Sequence, residues 1–532
     1  MNRTVYSLIG VVTALAAVTG LASLTAPSGE SATGPAAATR LPVERSTLVC
    51  PQPTSSEIGE TTYTAFTPKG GAGREAAGKG SAALLPAAST LEGGGQRNAD
   101  NADNADKGDK GDKNDKGDGS GKKAESEQVV PLSEPGRPVT ADTDGSGSPA
   151  LTGSATGRLA PGWTVQQTTL VTAGVGRGLL GTSCTEPDTE FWFPGVSTAE
   201  TRSDYIHLVN PDDTPAVVDL ELYGEDGSVR TDSGQGINVP GRATIPVLLS
   251  TLSTEPVTDV VLHVVARAGR IGAQVQALDE KLGGDWLTAS AVSRGTLVLP
   301  GVPADATGVR LIAFAPGDAD ADLKVRLATP TGSITPAGQE NLHVKRGMTV
   351  AVDLGDLTRG EAGSLLLGPA EEGGDAPVVA ALQVLRGKGG DREMGFVPAT
   401  GPVRERASAA GGDAAATDDK KGEAAALSLV APEKGAKVRV TASAGSDGGE
   451  PVSKTYTLKG GTTTAVDGLR PQGGKGRYAL TVEKLSGGPV HAARTLTRTE
   501  DGVPMFTVQT LPDDRSTVAV PEAEQDLSVL VD

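Results

Sequence analysis

The residues of this chain that could do chemistry are few: two cysteines, four histidines and one dense aromatic triplet among 532 residues. A catalytic thiol needs a base or a second cysteine close by to hold it as thiolate, and neither Cys50 nor Cys184 has a C-x-x-C partner or a neighbouring histidine in the sequence. The two stand at opposite ends of the first of several repeated units, so they read as a disulfide that clamps that unit shut, with two buried free thiols as the alternative. His207, His263, His343 and His491 fall on four separate predicted strands without a second ligand at metal spacing. Each therefore reads as an ordinary strand residue, and no metal or cofactor is expected. There is no G-x-S-x-G elbow and no H-E-x-x-H pair. Asp212-Asp213, Asp226 and Glu371-Glu372 sit at turn positions, where carboxylates serve solubility and turn hydrogen bonding. The expectation is a protein that is not an enzyme.

Two further segments imitate ligand sites and fail on their chemistry. Asn114 to Glu125 has Gly119 and Glu125 where a calcium loop has its glycine and its last carboxylate, but Lys116 and Lys122 occupy ligand positions. Gly117 to Lys123 reads GDGSGKK, yet a phosphate loop needs Ser or Thr where Lys123 stands. From Asp100 to Asp118 an Asp recurs at every third position, with Lys107, Lys110, Lys113 and Lys116 between them. Nothing there fixes the backbone, so calcium binding no tighter than about millimolar is expected. Phe191, Trp192 and Phe193 remain as the candidate ligand contact. Alternation along a strand sends Trp192 to the face opposite its neighbours, which would suit a glycan platform, although core packing is the alternative in a chain with 3% aromatics.

The elements that must carry these residues announce themselves by repetition. Short apolar strands ending in proline recur as TLVCP (to Pro51), EFWFP (to Pro194), TLVLP (to Pro300), MGFVP (to Pro398) and TVAVP (to Pro521). The first three are followed 16 or 17 residues later by a second such strand, ending at Pro68, Pro211 and Pro316; the fourth waits until Pro432. With 72 Gly and 35 Pro the chain is punctuated too often for long helices. Alternating runs such as VVDLELYGEDG, closed by a turn at Asp226-Gly227, are half-buried hairpins. Seven or eight short strands per unit describe an all-β chain of tandem immunoglobulin-like β-sandwiches, with a closed β-propeller-like ring as the alternative. The expected units span 46–189, 190–295, 296–393 and 394–515, with a closing strand pair at 516–532. Low-complexity stretches at 69–128 and 405–424 are expected to be a disordered loop and a flexible spacer.

A net charge of −18 argues against a nucleic-acid partner, which requires clustered Lys and Arg. Residues 1–26 hold a charged start and an apolar stretch from Val5 to Leu24, a signal peptide or N-terminal membrane anchor, and the rest of the chain is expected to be exported. The segment TSCTEPDTEFWFPG, with YIHLVNPDDTPAVVDLELYGEDG after it, resembles the domain-of-unknown-function family numbered 5719, found in exported proteins of high-GC Gram-positive bacteria. The likeness is strongest from Cys184 to Asp279. It implies an exported envelope protein without established catalytic activity, and it carries over no functional residue. The expected function is a non-enzymatic extracytoplasmic scaffold for protein or glycan contacts. A cell-wall polysaccharide binder or accessory to envelope glycan assembly is the alternative, and a degenerate hydrolase the distant one.

Overall fold

A computed structural model describes residues 39–70, 78–89, 128–371, 374–415 and 423–520. The N-terminal apolar segment, the Asp-rich run with its calcium-loop imitation, and the tail from Pro521 lie outside them. The described residues form strands, turns and short 3-10 segments, and among them no helix is long and apolar enough to cross a membrane.

Pro42–Ser516 is one compact unit built of four sandwiches. The first pairs the sheet Arg45–Cys50, Leu151–Thr156, Ala82–Pro86, Val129–Leu132 with the sheet Gly178–Ser183, Thr164–Val171, Glu60–Phe66, Val139–Asp144. In the second, Glu190–Val196, Val260–Ala268 and Ala216–Gly224 face Gly283–Leu287, Gly272–Asp279, Tyr205–Val209 and Ala243–Leu248. The third sets Leu297–Val302, Gly363–Pro369 and Ala321–Ala328 against Thr349–Gly355, Ala306–Phe314, Val379–Arg386 and Glu393–Pro398. The fourth sets Arg406–Asp413, Arg477–Gly487, Ala436–Ala442 and Val452–Leu458 against Thr462–Asp467, Ala424–Ala431, His491–Glu500 and Val503–Leu511. Each pair of sheets encloses one main apolar core, fed by the inward half of every alternating strand.

The repeat is real, but proline alone is not its marker. In the second and third sandwiches the opening strand bulges at a Pro-Gly step, where Gly195 and Gly301 adopt φ of +104° and +86°. The fourth sandwich bulges the same way at Gly411, φ +96°, inside Arg406–Asp413. The glycine is kept because only it enters that conformation without strain, whereas the proline before it has become Ala410. Arg406–Asp413 is therefore a buried opening strand where a flexible spacer over 405–424 was expected. MGFVP does not open the fourth unit. It pairs with Val379–Arg386 and closes the third. Ala82–Pro86 and Ala88–Ser89 are likewise strands within the expected loop 69–128; small residues concealed their alternation. Thr517–Val520 pairs with Thr39–Pro42 in a two-stranded sheet of its own.

Within residues 42–516 the sandwiches close into a cycle. Val49, Ala87 and Ala150 meet Val209 between the first and second. Trp192 and Val261 meet Ile312, Phe314 and Val379 between the second and third. Val298, Ala328 and Leu366 meet Val430 between the third and fourth. Leu170 and Leu179 meet Leu496, Val503 and Met505 between the first and fourth. The last strands of the four sandwiches, Gly178–Ser183, Gly283–Leu287, Glu393–Pro398 and Val503–Leu511, pack each against the next around the cycle. Two of them also plug a neighbour's core: Met394 and Phe396 enter that of the second sandwich, and Phe506 and Val508 that of the third. Tandem sandwiches and a closed arrangement thus coexist in one unit.

Candidate functional site

Cys50 ends the first strand of the first sandwich and Cys184 follows its last, and the alternation of both strands turns them into the same core. They are joined, with Cα atoms 4.4 Å apart and no sulfur exposed to solvent chemistry. The bridge ties the two sheets of that sandwich together beside the backbone pairing of Val49 with Thr185.

The aromatic triplet divides as its alternation requires: Phe191 and Phe193 enter the second sandwich's core, while Trp192 faces outward. That outward face is covered by the third sandwich, and Trp192 is only 7% exposed. One side of the indole stacks on His263 at 3.7 Å and another lies against Phe314 at 5.3 Å. Its Nε1 donates to Glu190 Oε1 at 3.2 Å. The His263 ring is engaged at both nitrogens, Nδ1 with Glu221 Oε2 at 3.0 Å and Nε2 with Glu190 Oε1 at 3.1 Å. Tyr223 donates its hydroxyl to the same Glu221, and burial together with that carboxylate pushes the phenol up to about 12. Two carboxylates converge here on the imidazole between them, each through one oxygen, while the Glu190 and Glu221 side chains stay 59% and 40% exposed. Both imidazole nitrogens are hydrogen-bonded to carboxylates, and the indole offers no open face to a sugar.

Buried charge gathers instead where the sandwiches meet. Asp285 is fully buried on the last strand of the second sandwich, and its Oδ2 accepts from the Phe396 amide at 3.3 Å. Burial holds its carboxyl well above the usual range. Space for it comes from Gly395, where a Cβ would lie 3.2 Å from Oδ2 and 2.8 Å from the Phe506 ring. Glu393 reaches Arg177 of the first sandwich at 2.7 Å; burial pushes it up to about 7, against the pull of that guanidinium. Arg494, also fully buried, donates to Gln166 across the first–fourth junction at 2.5 Å and to Gln509 and the Ala410 carbonyl; burial lowers it to about 10. Arg406 and Asp514 pair at 2.5 Å, and Arg406 also donates to the carbonyls of Gly70 and Pro161. His207 and His491 are both lowered to about 4 by burial at junctions.

Of the other residues singled out in the sequence, His343 lies on an exposed edge with Asp322 at 2.8 Å and Asp320 at 3.6 Å. Asp212 and Asp213 stay in their turn, paired with Arg270 and Arg242. Among the described residues no three His, Cys, Asp or Glu side chains are grouped to hold a metal ion. Asp285 and Arg494 escaped the reading of motifs. Their signal was a lone charge inside an otherwise apolar alternating strand, GGDWL and HAARTL.

The match to known families falls on this same cycle of sandwiches. A model described as a family of unknown function, DUF5719, covers residues 139–468, more than half of the chain. The chain belongs to that family. The DUF5719 match begins within the first sandwich and ends in the fourth, so it takes in the second and third whole. No curated protein matches the chain.

Proposed function

We propose that this DUF5719 chain is a non-catalytic, extracytoplasmic scaffold of the cell envelope, a rigid cycle of sandwiches that presents its outer surfaces to protein or glycan partners. The observation that carries this reading is the fate of the strongly perturbed ionisable groups. Perturbed carboxylates and cations mark active sites when they face a cleft. Here Asp285, Glu393, Arg494 and the Arg406–Asp514 pair face other sandwiches and are bound into the junctions. Their chemistry is structural. The disulfide supports the location, because such bonds persist in oxidising compartments and are rare in the cytosol.

Two measurements test it. In host cells, alkylation before and after reduction should find Cys50 and Cys184 protected and the chain in the envelope fraction. Cross-linking at the cell surface should recover an envelope protein or glycan. A cytosolic chain with freely alkylated thiols would sink the location. Turnover of a cell-wall substrate that disappears in Glu190→Gln or Glu221→Gln would sink the non-catalytic reading.

A further inference from the structure

A groove of about 350 Å³ runs over the solvent face of the first sandwich's outer sheet, walled by turns of the second. Its floor carries the hydroxyls of Thr47, Thr152 and Ser154, with Leu85 and Pro131 beside them. Arg45 enters from the first sandwich, and Arg242 and Arg270 from two separate turns of the second. Three guanidinium groups line it against the carboxylate of Asp212, and even with Asp213 paired to Arg242 at its edge the local balance stays positive in a chain carrying −18.

Arg242 supplies the second observation. Register places it opposite the glycines of its sister sandwiches: Val209 pairs with Thr244, Phe314 with Thr349 and Val430 with Thr463. Two residues before those threonines stand Arg242, Gly347 and Gly461, at φ of +54°, +68° and +71°. Glycine takes that conformation freely, whereas an arginine there is strained. Its backbone carbonyl accepts from the Ala88 amide, a task that glycine performs equally well. Its side chain pairs with Asp213, but both are more than half exposed, and an ion pair in water returns less than the backbone strain takes. The fold has thus set an arginine where its repeat prefers glycine, at the edge of a cationic groove. Strain retained in this way points to a role for the side chain.

We propose that this groove binds a strand of acidic polysaccharide, with its carboxylates or phosphates on Arg45, Arg242 and Arg270 and its hydroxyls on Thr47, Thr152 and Ser154. Guanidinium groups match carboxylate and phosphate geometry, and Asp212 orients Arg270 through two hydrogen bonds of 3.0 Å. No aromatic residue lines the groove, and its one half-buried large apolar side chain, Leu85, lies among hydroxyls and guanidiniums, a lining poor in the aromatic anchors on which protein partners build affinity. The assignment rests on the envelope reading only for the class of partner.

Titration calorimetry of the full chain with oligogalacturonate and with a phosphorylated mannan tests it, with neutral dextran and poly-glutamate as controls. Binding of at least one acidic glycan is expected, with dextran inert and poly-glutamate at least tenfold weaker. Arg242→Gly, which restores the sister residue, should weaken that binding at least tenfold while the unfolding midpoint stays level or rises. Arg45→Ala should weaken it with no change in fold. No binding of either acidic glycan, equal binding of dextran or poly-glutamate, or an Arg242→Gly affinity within twofold of the parent would overturn the proposal. Those results would leave the scaffold reading standing, since cross-linking tests it separately.

Discussion

Acidification should loosen the junction between the first two sandwiches, and His207 supplies a measurable share of the effect. The imidazole is buried on the outward face of Tyr205–Val209, with the Trp286 ring 5.3 Å away. Burial lowers it to about 4 from 6.5, and Gln276 beside it offsets only part of that. The folded chain therefore binds fewer protons than the unfolded chain between those two values. Stability from this group is whole above pH 6.5 and drains away as pH falls to about 4. A displacement of about 2.5 units corresponds to about 3 kcal/mol over that window. His491 drains in the same direction, whereas Glu393, pushed up to about 7, gains stability on protonation and opposes both. A pH profile of the parent alone mixes the three with Asp204, Asp285 and Asp514, carboxyls that burial also raises. His207→Leu isolates one, because the others are common to both chains. Urea unfolding followed by the emission of the three buried tryptophans, Trp163, Trp192 and Trp286, should show the variant gaining about 3 kcal/mol relative to the parent between pH 7.5 and pH 4. Parallel profiles with a constant offset would refute the reasoning, for they would mean that His207 binds its proton equally well in the folded and unfolded chains.

Opening the disulfide removes a cross-link between residues separated by 134 positions, which in the loop-entropy model should cost about 5 kcal/mol. Calorimetry of Cys50→Ala/Cys184→Ala that shows an unchanged transition would contradict it. Glu393→Gln removes that group's share of the pH profile, so relative to the parent it should gain about 3 kcal/mol as pH rises from 4.5 to about 7, and unfolding at the two pH extremes decides it. Arg494→Met strands Gln166, Gln509 and the Ala410 carbonyl, so about 3–5 kcal/mol should be lost, with faster amide exchange along Arg406–Asp413 as the local sign. Gly395→Ala drives a methyl toward the Phe506 ring and should cost about 1–3 kcal/mol by overpacking; a neutral variant would show that the strand yields.

Much of the architecture was legible because β alternation and turn glycines are local signals. VVDLELYGEDG gave its hairpin directly, and the two cysteines gave their bridge. What misled was a mark shared by two places. Pro398 ends a closing strand and Pro300 lies in an opening one, and only pairing across the sheet tells them apart. Arg406–Asp413 hid for a different reason. RASAAGGD has no large apolar residue, and it is buried because tertiary neighbours close around small side chains. The candidate site fared similarly. The facing of Trp192 followed from period two, but its covering by Phe314 and Ile312 comes from a different sandwich, about 120 residues on, and no local pattern carries such a contact. Asp285 and Arg494 were visible as misplaced charges, and their partners were not.

The exchange of last strands between neighbouring cores also sets an order of assembly. The third sandwich lacks Phe506 and Val508 until the chain has been made to Val508, and the first has no partner for Leu170 and Leu179 until Val503 and Met505 arrive. A nascent or truncated chain ending before Val503 would hold sandwiches with open apolar sockets, surfaces that invite chaperones or proteases. The closure is therefore a checkpoint for completeness: a chain missing its final strand cannot bury the contacts that make the other sandwiches whole. Excising a single sandwich for separate expression should fail for the same reason, and the smallest autonomous unit is the whole cycle.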